Sequence, residues 1–169
     1  QEYRRKIGIV FQDYKLLPHK TVYENVAFAL EVCGWKEADI RPRVMEVLGK
    51  VGMSEHEGKL PEQLAGGELQ RTAIARALVH HPRLLIADEP TGNLDYWNAQ
   101  GILDLLLAIN AEGVTVIMAT HNREFVDQIQ RRVITINHGK IVGDKETSGY
   151  ELELIVAGPM AEVLAEEVG

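Results

Sequence analysis

The chain has 169 residues, enough for one domain with a sizeable core. Its net charge of −7 is uneven: residues 151–169 carry five Glu and no Lys or Arg, while the first 150 hold 20 acids against 18 bases. A body so nearly balanced argues against a nucleic-acid groove, and a single cysteine, Cys33, excludes an internal disulfide and fits a reducing compartment. The start, Gln1 to Lys6, is polar with no apolar segment behind it. The longest apolar stretch, near residues 102–109, is interrupted by Asp104 and is too short to span a bilayer. A soluble protein is expected, with any membrane role arising through a partner.

Residues 7–11 predict a short buried strand ending at Gln12, and residues 13–20, with Pro18, a loop. Thr21-Val22-Tyr23-Glu24 has capping-box spacing, which starts a helix at Val22 that runs to about Val32 and stops at Gly34. Val44, Val47, Leu48 and Val51 recur at helical spacing. Pro42 suits a first helical turn, so a second helix is expected to begin there. Residues 54–61 form a polar connector. Gly66-Gly67 then open a helix rich in Ala, Leu and Arg, with Ile74, Ala75 and Leu78 marking its apolar face.

Leu84-Leu85-Ile86-Ala87 runs straight into Asp88 and Glu89, and Pro90 stops it. A continuous apolar run suits a parallel-sheet strand buried on both faces. A turn at 91–95, a helix over 96–110 and a second buried strand over 114–119, ending at Thr120-His121, follow. Residues 124–129 are a short helix, and 133–136 with 141–142 flank an Asn137-His138-Gly139-Lys140 turn as a hairpin. This alternation indicates an α/β fold with a parallel sheet. Residues 151–169, divided by Pro159, are taken as an acidic tail.

Two residue groups carry chemistry. Adjacent carboxylates at the carboxyl end of a parallel strand lie where ligands bind in open α/β sheets. Asp88 holding Mg²⁺ would relieve their repulsion and leave Glu89 free as a base. A solvated acidic turn is the plainer alternative for the pair alone. The Gly66-Gly67 helix start would present free N–H groups and a positive dipole end to a phosphate, unless the glycines serve only the turn.

Together, Leu64-Ala65-Gly66-Gly67-Glu68-Leu69-Gln70-Arg71 and the apolar run Leu84-Leu85-Ile86-Ala87 into Asp88-Glu89 resemble the signature and Walker B motifs of ABC-type ATPases. The resemblance covers roughly residues 6–150. It implies the P-loop NTPase fold, with a helical subdomain at about residues 21–80, and ATP and Mg²⁺ as ligands. Gln12 matches the Q-loop glutamine, which reaches Mg²⁺ and the attacking water. Asp88 matches the metal-holding aspartate, Glu89 the catalytic glutamate and His121 the switch histidine at the γ-phosphate. Ala65, Gly66, Gly67 and Glu68 match the signature that binds nucleotide across a homodimer. Asp95, in Asn93-Leu94-Asp95, matches the D-loop aspartate at that interface. The other histidines (His19, His56, His80, His81 and His138) are expected at the surface. Trp35 and Trp97 are expected to pack or to meet a partner.

Two positions depart from the signature: Ala65 stands where the family usually has Ser, and Leu69 where it commonly has a polar residue. Losing the Ser hydroxyl removes a charge-assisted hydrogen bond worth ~1.5–3 kcal/mol. The phosphate loop itself, Gly, four residues, Gly, Lys, then Ser or Thr, does not occur. The Gly-Lys pairs at Gly49, Gly58 and Gly139 have Val44, Met53 and Ile134 where its first glycine belongs, and Val51, Leu60 and Ile141 after the lysine. In the family this loop lies upstream of the Gln12 strand. The expectation is therefore a member missing its amino-terminal part, including the strand beside 114–119, and inactive as this chain alone.

The residues around the motifs narrow the resemblance. Val10-Phe11-Gln12-Asp13-Tyr14-Lys15-Leu16-Leu17, Thr21 to Ala27, and Met118-Ala119-Thr120-His121-Asn122 are similar to the cell-division ATP-binding branch of the family. That implies a peripheral protein at the cytoplasmic face of the bacterial plasma membrane, dimeric beneath an FtsX-like membrane subunit. The docking segment would be residues 14–35, which offer Tyr14, Leu16, Leu17, Val22, Tyr23 and Phe28 and end at Trp35. Lipoprotein-release and macrolide-export ATPases share Asp88-Glu89-Pro90-Thr91-Gly92-Asn93-Leu94-Asp95 and are the alternative. A non-catalytic interaction module is the other.

Overall fold

The structure, a computed structural model, describes residues 6–146, so the tail at 151–169 lies outside the described residues. These fall into two units that divide between His121 and Asn122. In the first, strands β1 (Ile7–Val10), β2 (Leu84–Asp88) and β3 (Thr115–Ala119) form a parallel sheet in the order β1-β2-β3. Helices α1 (Val22–Val32), α2 (Glu37–Lys50) and α3 (Gly66–Leu78) lie between β1 and β2 in the chain, and α4 (Tyr96–Ala111) connects β2 to β3.

The pleat sends alternate residues to opposite faces. Val10, Leu85, Ala87, Val116 and Met118 join the core on the face where α3 packs on β1 and α4 on β3. The opposite face is less covered than the apolar runs predict. Ile9 and Ile117 stay exposed, Ile117 at 53%, and Ile86, between them in register, is half-buried. Sequence alone expects both faces covered, as βαβ crossovers usually arrange. Here α3 and α4 both pack on the same face.

The helical layer forms for local reasons. Thr21 caps α1 through its hydroxyl to the Glu24 N–H (3.2 Å), and the Glu24 carboxylate accepts from the Thr21 N–H (2.7 Å). Val22, Val26 and Leu30, one face of α1, are fully buried. Helix α2 begins at Glu37, five residues before Pro42, not at the proline. Pro42 cannot donate to the Ala38 carbonyl, but it is exposed, so water can serve that oxygen. Glu37 and Asp39 in the first turn favour the earlier start. Arg43 on α2 donates to the Val79 and Leu78 carbonyls (2.9 and 3.3 Å), satisfying the carboxyl end of α3.

Two polar residues, Asn25 and His80, are less exposed than the sequence suggests. Asn25, fully buried, accepts from the Leu17 N–H (2.7 Å) and donates to the Leu17, Lys20 and Thr21 carbonyls, which fixes the loop before α1. His80 is half-buried rather than at the surface, with Nε2 3.3 Å from the Ile7 carbonyl oxygen. Burial pushes its pKa below the usual histidine value, and the bond to Ile7 opposes that shift. Trp35 stacks on His81 at 6.0 Å.

The second unit contains α5 (Arg123–Ile129), capped by the Asn122 side chain accepting from the Phe125 N–H (3.3 Å). The antiparallel hairpin β4 (Val133–Asn137) with β5 (Lys140–Lys145) follows. Its turn residues His138 and Gly139 both have positive φ (45° and 73°), the requirement of a tight two-residue hairpin turn. Arg132 grips Asp144 with two bonds (2.9 and 2.7 Å).

The contact of α3 with the sheet depends on Gly8, where an added Cβ would lie 2.3 Å from the Ala77 carbonyl oxygen. Gly8→Ala must push helix backbone off the strand. It is expected to lower stability by about 1–3 kcal/mol, as overpacking does, read as a fall in the urea midpoint of this chain.

Candidate functional site

At the end of β2 the ladder continues one residue beyond the strand, the Glu89 N–H donating to the Ala119 carbonyl at 2.9 Å. There Glu89 turns left-handed, φ +44°, a conformation that costs a non-glycine residue about 1–2 kcal/mol. Its carboxylate collects the compensation from the end of β3. Oε1 accepts from the His121 backbone N–H (2.9 Å) and lies 2.7 Å from His121 Nδ1, while the Thr120 hydroxyl donates to Oε2 (3.3 Å). A carboxylate only accepts, so Nδ1 carries the proton. The Glu89 side chain is 19% exposed and His121 84%, so the imidazole is held at one nitrogen and otherwise faces out.

Gln12, just past β1, stands beside this pair. Its Nε2 lies 3.4 Å from where a Cβ on Gly92 would sit, and the Glu89 Cβ lies 3.6 Å from that same point. The Gln12 carbonyl accepts from Asn93 Nδ2 at 3.2 Å, tying β1 to the turn after β2. Asp88, the last residue of β2, is exposed. The structure thus brings Gln12, Glu89 and His121 together, with Asp88 next in the chain, at the carboxyl edge of the sheet.

The amino end of α3 meets the same turn. A Cβ on Gly66 would lie 3.2 Å from Leu94 Cδ2 and 3.5 Å from the Tyr14 hydroxyl, and one on Gly67 would lie 2.7 Å from Asn98 Oδ1. Both glycines therefore have a packing reason in addition to any ligand. Gly67 is buried, Gly66 half-buried and Ala65 exposed. Glu68 accepts from the Ala65 N–H (2.8 Å), and its other oxygen lies 3.2 Å from His56 Nδ1. The first helical turn consequently has one N–H already engaged and a carboxylate beside it.

Asp95 caps α4, accepting from the Asn98 N–H (3.0 Å) and from Asn98 Nδ2 (2.5 Å). Those bonds hold its pKa below the usual carboxylate value, the backbone bond first. Next to it Tyr96 and Trp97 meet edge to face at 5.4 Å, with Trp97 exposed. No group of three or more His, Cys, Asp or Glu with metal-holding geometry occurs among the described residues. Mg²⁺ is held by one or two protein groups together with substrate phosphates, so an exposed carboxylate at the sheet edge suits it without a larger cluster. Asp88 and Gln12 are the groups that would hold it.

The family described as ABC transporter matches residues 1–92. The chain belongs to the ABC transporter family. Among curated proteins it is similar to the cell division ATP-binding protein FtsE of Streptococcus pneumoniae, 54% identical over 147 residues, 87% of this chain and 64% of that protein. The methionine import ATP-binding protein MetN 1 of Acinetobacter baylyi is 46% identical over 140 residues, 82% of this chain and 39% of that protein. Among solved structures, the dimeric ATP-binding cassette MJ0796, in a post-hydrolysis state bound to ADP and Pi, matches with a TM-score of 0.75 and 34% identity. That match covers 87% of this chain and 66% of the cassette. The chain thus spans less than two thirds of the length of its cell-division relative. The fold is that of ABC ATPase cassettes, as the match to the solved cassette shows and the parallel sheet with its intervening helices agrees.

Within this ABC cassette, sequence reasoning missed Thr120, Asn98 and Arg76. Arg76 donates from Nη1 to the Lys15 carbonyl (2.6 Å) and from Nη2 to the Tyr14 carbonyl (2.8 Å), a contact across the fold that no local pattern signals. Ala65 leaves the capping box of α3 half made, because the Glu68 side chain bonds back but no side-chain oxygen answers. Ala65→Ser should complete the pair and raise the stability of this chain by about 0.5–2 kcal/mol. A urea midpoint that does not move would show that the added hydroxyl fails to reach the Glu68 N–H.

Proposed function

We propose that this chain is the ATP-hydrolysing subunit of a membrane ABC complex acting in bacterial cell division. It works as a dimer at the cytoplasmic face of the plasma membrane, beneath an FtsX-like subunit. The observation that supports hydrolysis best is the Glu89 carboxylate, oriented by three donors from Thr120 and His121, with the Gln12 carboxamide over Gly92 nearby. A base so held is positioned to take a proton from an attacking water. Gln12 orients that water. His121, held through Nδ1, would donate from Nε2 to the γ-phosphate as an imidazolium, in which both ring nitrogens are donors. Mg²⁺, when bound, supplies charge neutralisation at the phosphates.

The second half of each site comes from the opposite subunit. Free N–H groups at the start of α3, with the helix dipole, would face the phosphates bound there, without the Ser hydroxyl that Ala65 lacks. Glu68, at that helix start, would lie in the same site. Asp95 would reach the interface with the lone pairs that Asn98 leaves unused. None of the described helices is long and apolar enough to cross a membrane, so the membrane contact is assigned to the partner. The similarity to a cell-division ATP-binding protein supports division as the process. The similarity to a methionine import protein supports solute transport as the second reading.

Because the 169 residues contain no Gly-x4-Gly-Lys-Ser/Thr loop, the test joins this chain to the phosphate-loop segment of a cell-division relative. Glu89→Gln in the joined protein should leave ATP binding intact while turnover falls by at least about a hundredfold, the contribution of a general base. Unchanged turnover would remove Glu89 from that role. The 169-residue chain by itself should show no micromolar ATP binding in calorimetry.

Within the segment from Tyr14 to Trp35, Val22 and Val26 are core, Tyr14, Leu16 and Tyr23 pack against it, and Leu17 is half-buried. Phe28 and Val32 remain, 40% and 68% exposed and four residues apart on one face of α1. They form the contact we assign to the membrane subunit. Phe28→Asp with Val32→Asp should abolish co-purification with the FtsX-like subunit and leave the thermal midpoint in place. Retained co-purification would place the contact elsewhere.

A further inference from the structure

We propose that Arg76 is a positioning residue that holds the backbone after Gln12 in its working shape. Five observations converge on the short segment 12–15. Tyr14 and Lys15 both have positive φ, 60° and 49°, although neither is glycine. Two consecutive left-handed residues are unfavourable for side chains with a Cβ, so something outside the segment must over-determine them. The Arg76 guanidinium supplies it, one nitrogen on each of the two carbonyls, at 2.8 and 2.6 Å. A planar fork is suited to two adjacent acceptors, whereas an ammonium is a single point. Asn93 holds the Gln12 carbonyl from the other side, and the Tyr14 hydroxyl rests over Gly66 at the start of α3.

The Gln12 backbone is thus pinned between the turn after β2 and helix α3, leaving its carboxamide over Gly92 and near Glu89. Burial lowers the Arg76 pKa from a value so high that the group stays charged, and both arms of its guanidinium donate to backbone carbonyls. Its charge is therefore spent on backbone carbonyls. Removing one arm of the fork should let Tyr14 and Lys15 relax out of the left-handed region and carry Gln12 with them. The consequence for turnover rests on the hydrolytic reading given above; the holding of the loop does not.

The test has two arms. In the 169-residue chain, hydrogen exchange is followed for a peptide covering residues 11–17. Arg76→Lys keeps the charge but not the fork. It should raise exchange there about tenfold, the worth of one charge-assisted hydrogen bond, with peptides from α1, α2 and the sheet unchanged. Lys15→Gly added to Arg76→Lys should restore much of the protection, because glycine is at ease in the left-handed region. In the joined protein, Arg76→Lys should lower kcat with KM for ATP held within a factor of about two, the split expected when only a positioning contact is lost.

Exchange unchanged in residues 11–17, exchange raised evenly over the chain, or no rescue by Lys15→Gly overturns the proposal. So does unchanged kcat where exchange has risen. Absence of protection at residues 11–17 in the unsubstituted chain overturns it without any variant. If the unsubstituted joined protein does not hydrolyse ATP, the functional reading fails, and the exchange arm still decides whether Arg76 holds the loop.

Discussion

The approach of α3 to β1, close enough that only hydrogen fits on Gly8 beneath the Ala77 carbonyl, governs the geometry of the first unit. That contact sets how near the helix lies to the sheet, and three further contacts made by α3 inherit the distance. Its amino end reaches Leu94 and Asn98 beyond β2, its middle buries Ile74 and Ala75, and Arg76 reaches the segment after β1. Because packed interiors transmit small displacements instead of absorbing them, moving the helix by the width of a methyl group would disturb all three. The polar residues at the sheet edge thus depend on an apolar contact at its centre.

The site itself is assembled against local preference. Glu89, Tyr14 and Lys15 occupy left-handed backbone without being glycine, and each is held by hydrogen bonds from another element. Strain of this kind persists only where the surroundings outweigh it. Here the surroundings are donors of fixed direction: backbone N–H, imidazole and guanidinium. The benefit is that the side chains concerned have few alternatives to the observed place, which is what chemistry by positioning requires of a site.

Features whose causes lie within a few residues were legible in the sequence. The Thr21–Glu24 capping box, the Gly66 helix start and the His138-Gly139 turn are all determined by neighbours along the chain. The order of strands and helices followed from apolar periodicity. Pro42 misled because its cost inside α2 is local, while the gain from acidic residues at 37 and 39 and from burying Ile40 comes with a longer helix. Asn25 looks like any helical polar residue until Leu17 and Lys20 are seen folded onto it. Arg76 is beyond such reading, since the carbonyls it binds lie 61 and 62 residues away. The grouping of Gln12, Glu89 and His121 is implied by resemblance, whereas the hydrogen bonds that orient Glu89 and His121 join strand ends more than 30 residues apart and leave no local signal.

The row Ile9, Ile86, Ile117 crosses all three strands on the face turned away from α3 and α4. Contacts made by that face and contacts made by the polar edge of the sheet obey different thermodynamics. Apolar association is entropic near room temperature, weakens on cooling and is strengthened by excluded salts such as sulfate. Contacts through Asp88, at the end of β2, would instead fade as added ions screen its charge. Any association through the first surface would therefore weaken on chilling in dilute buffer, whereas one through the polar edge would not.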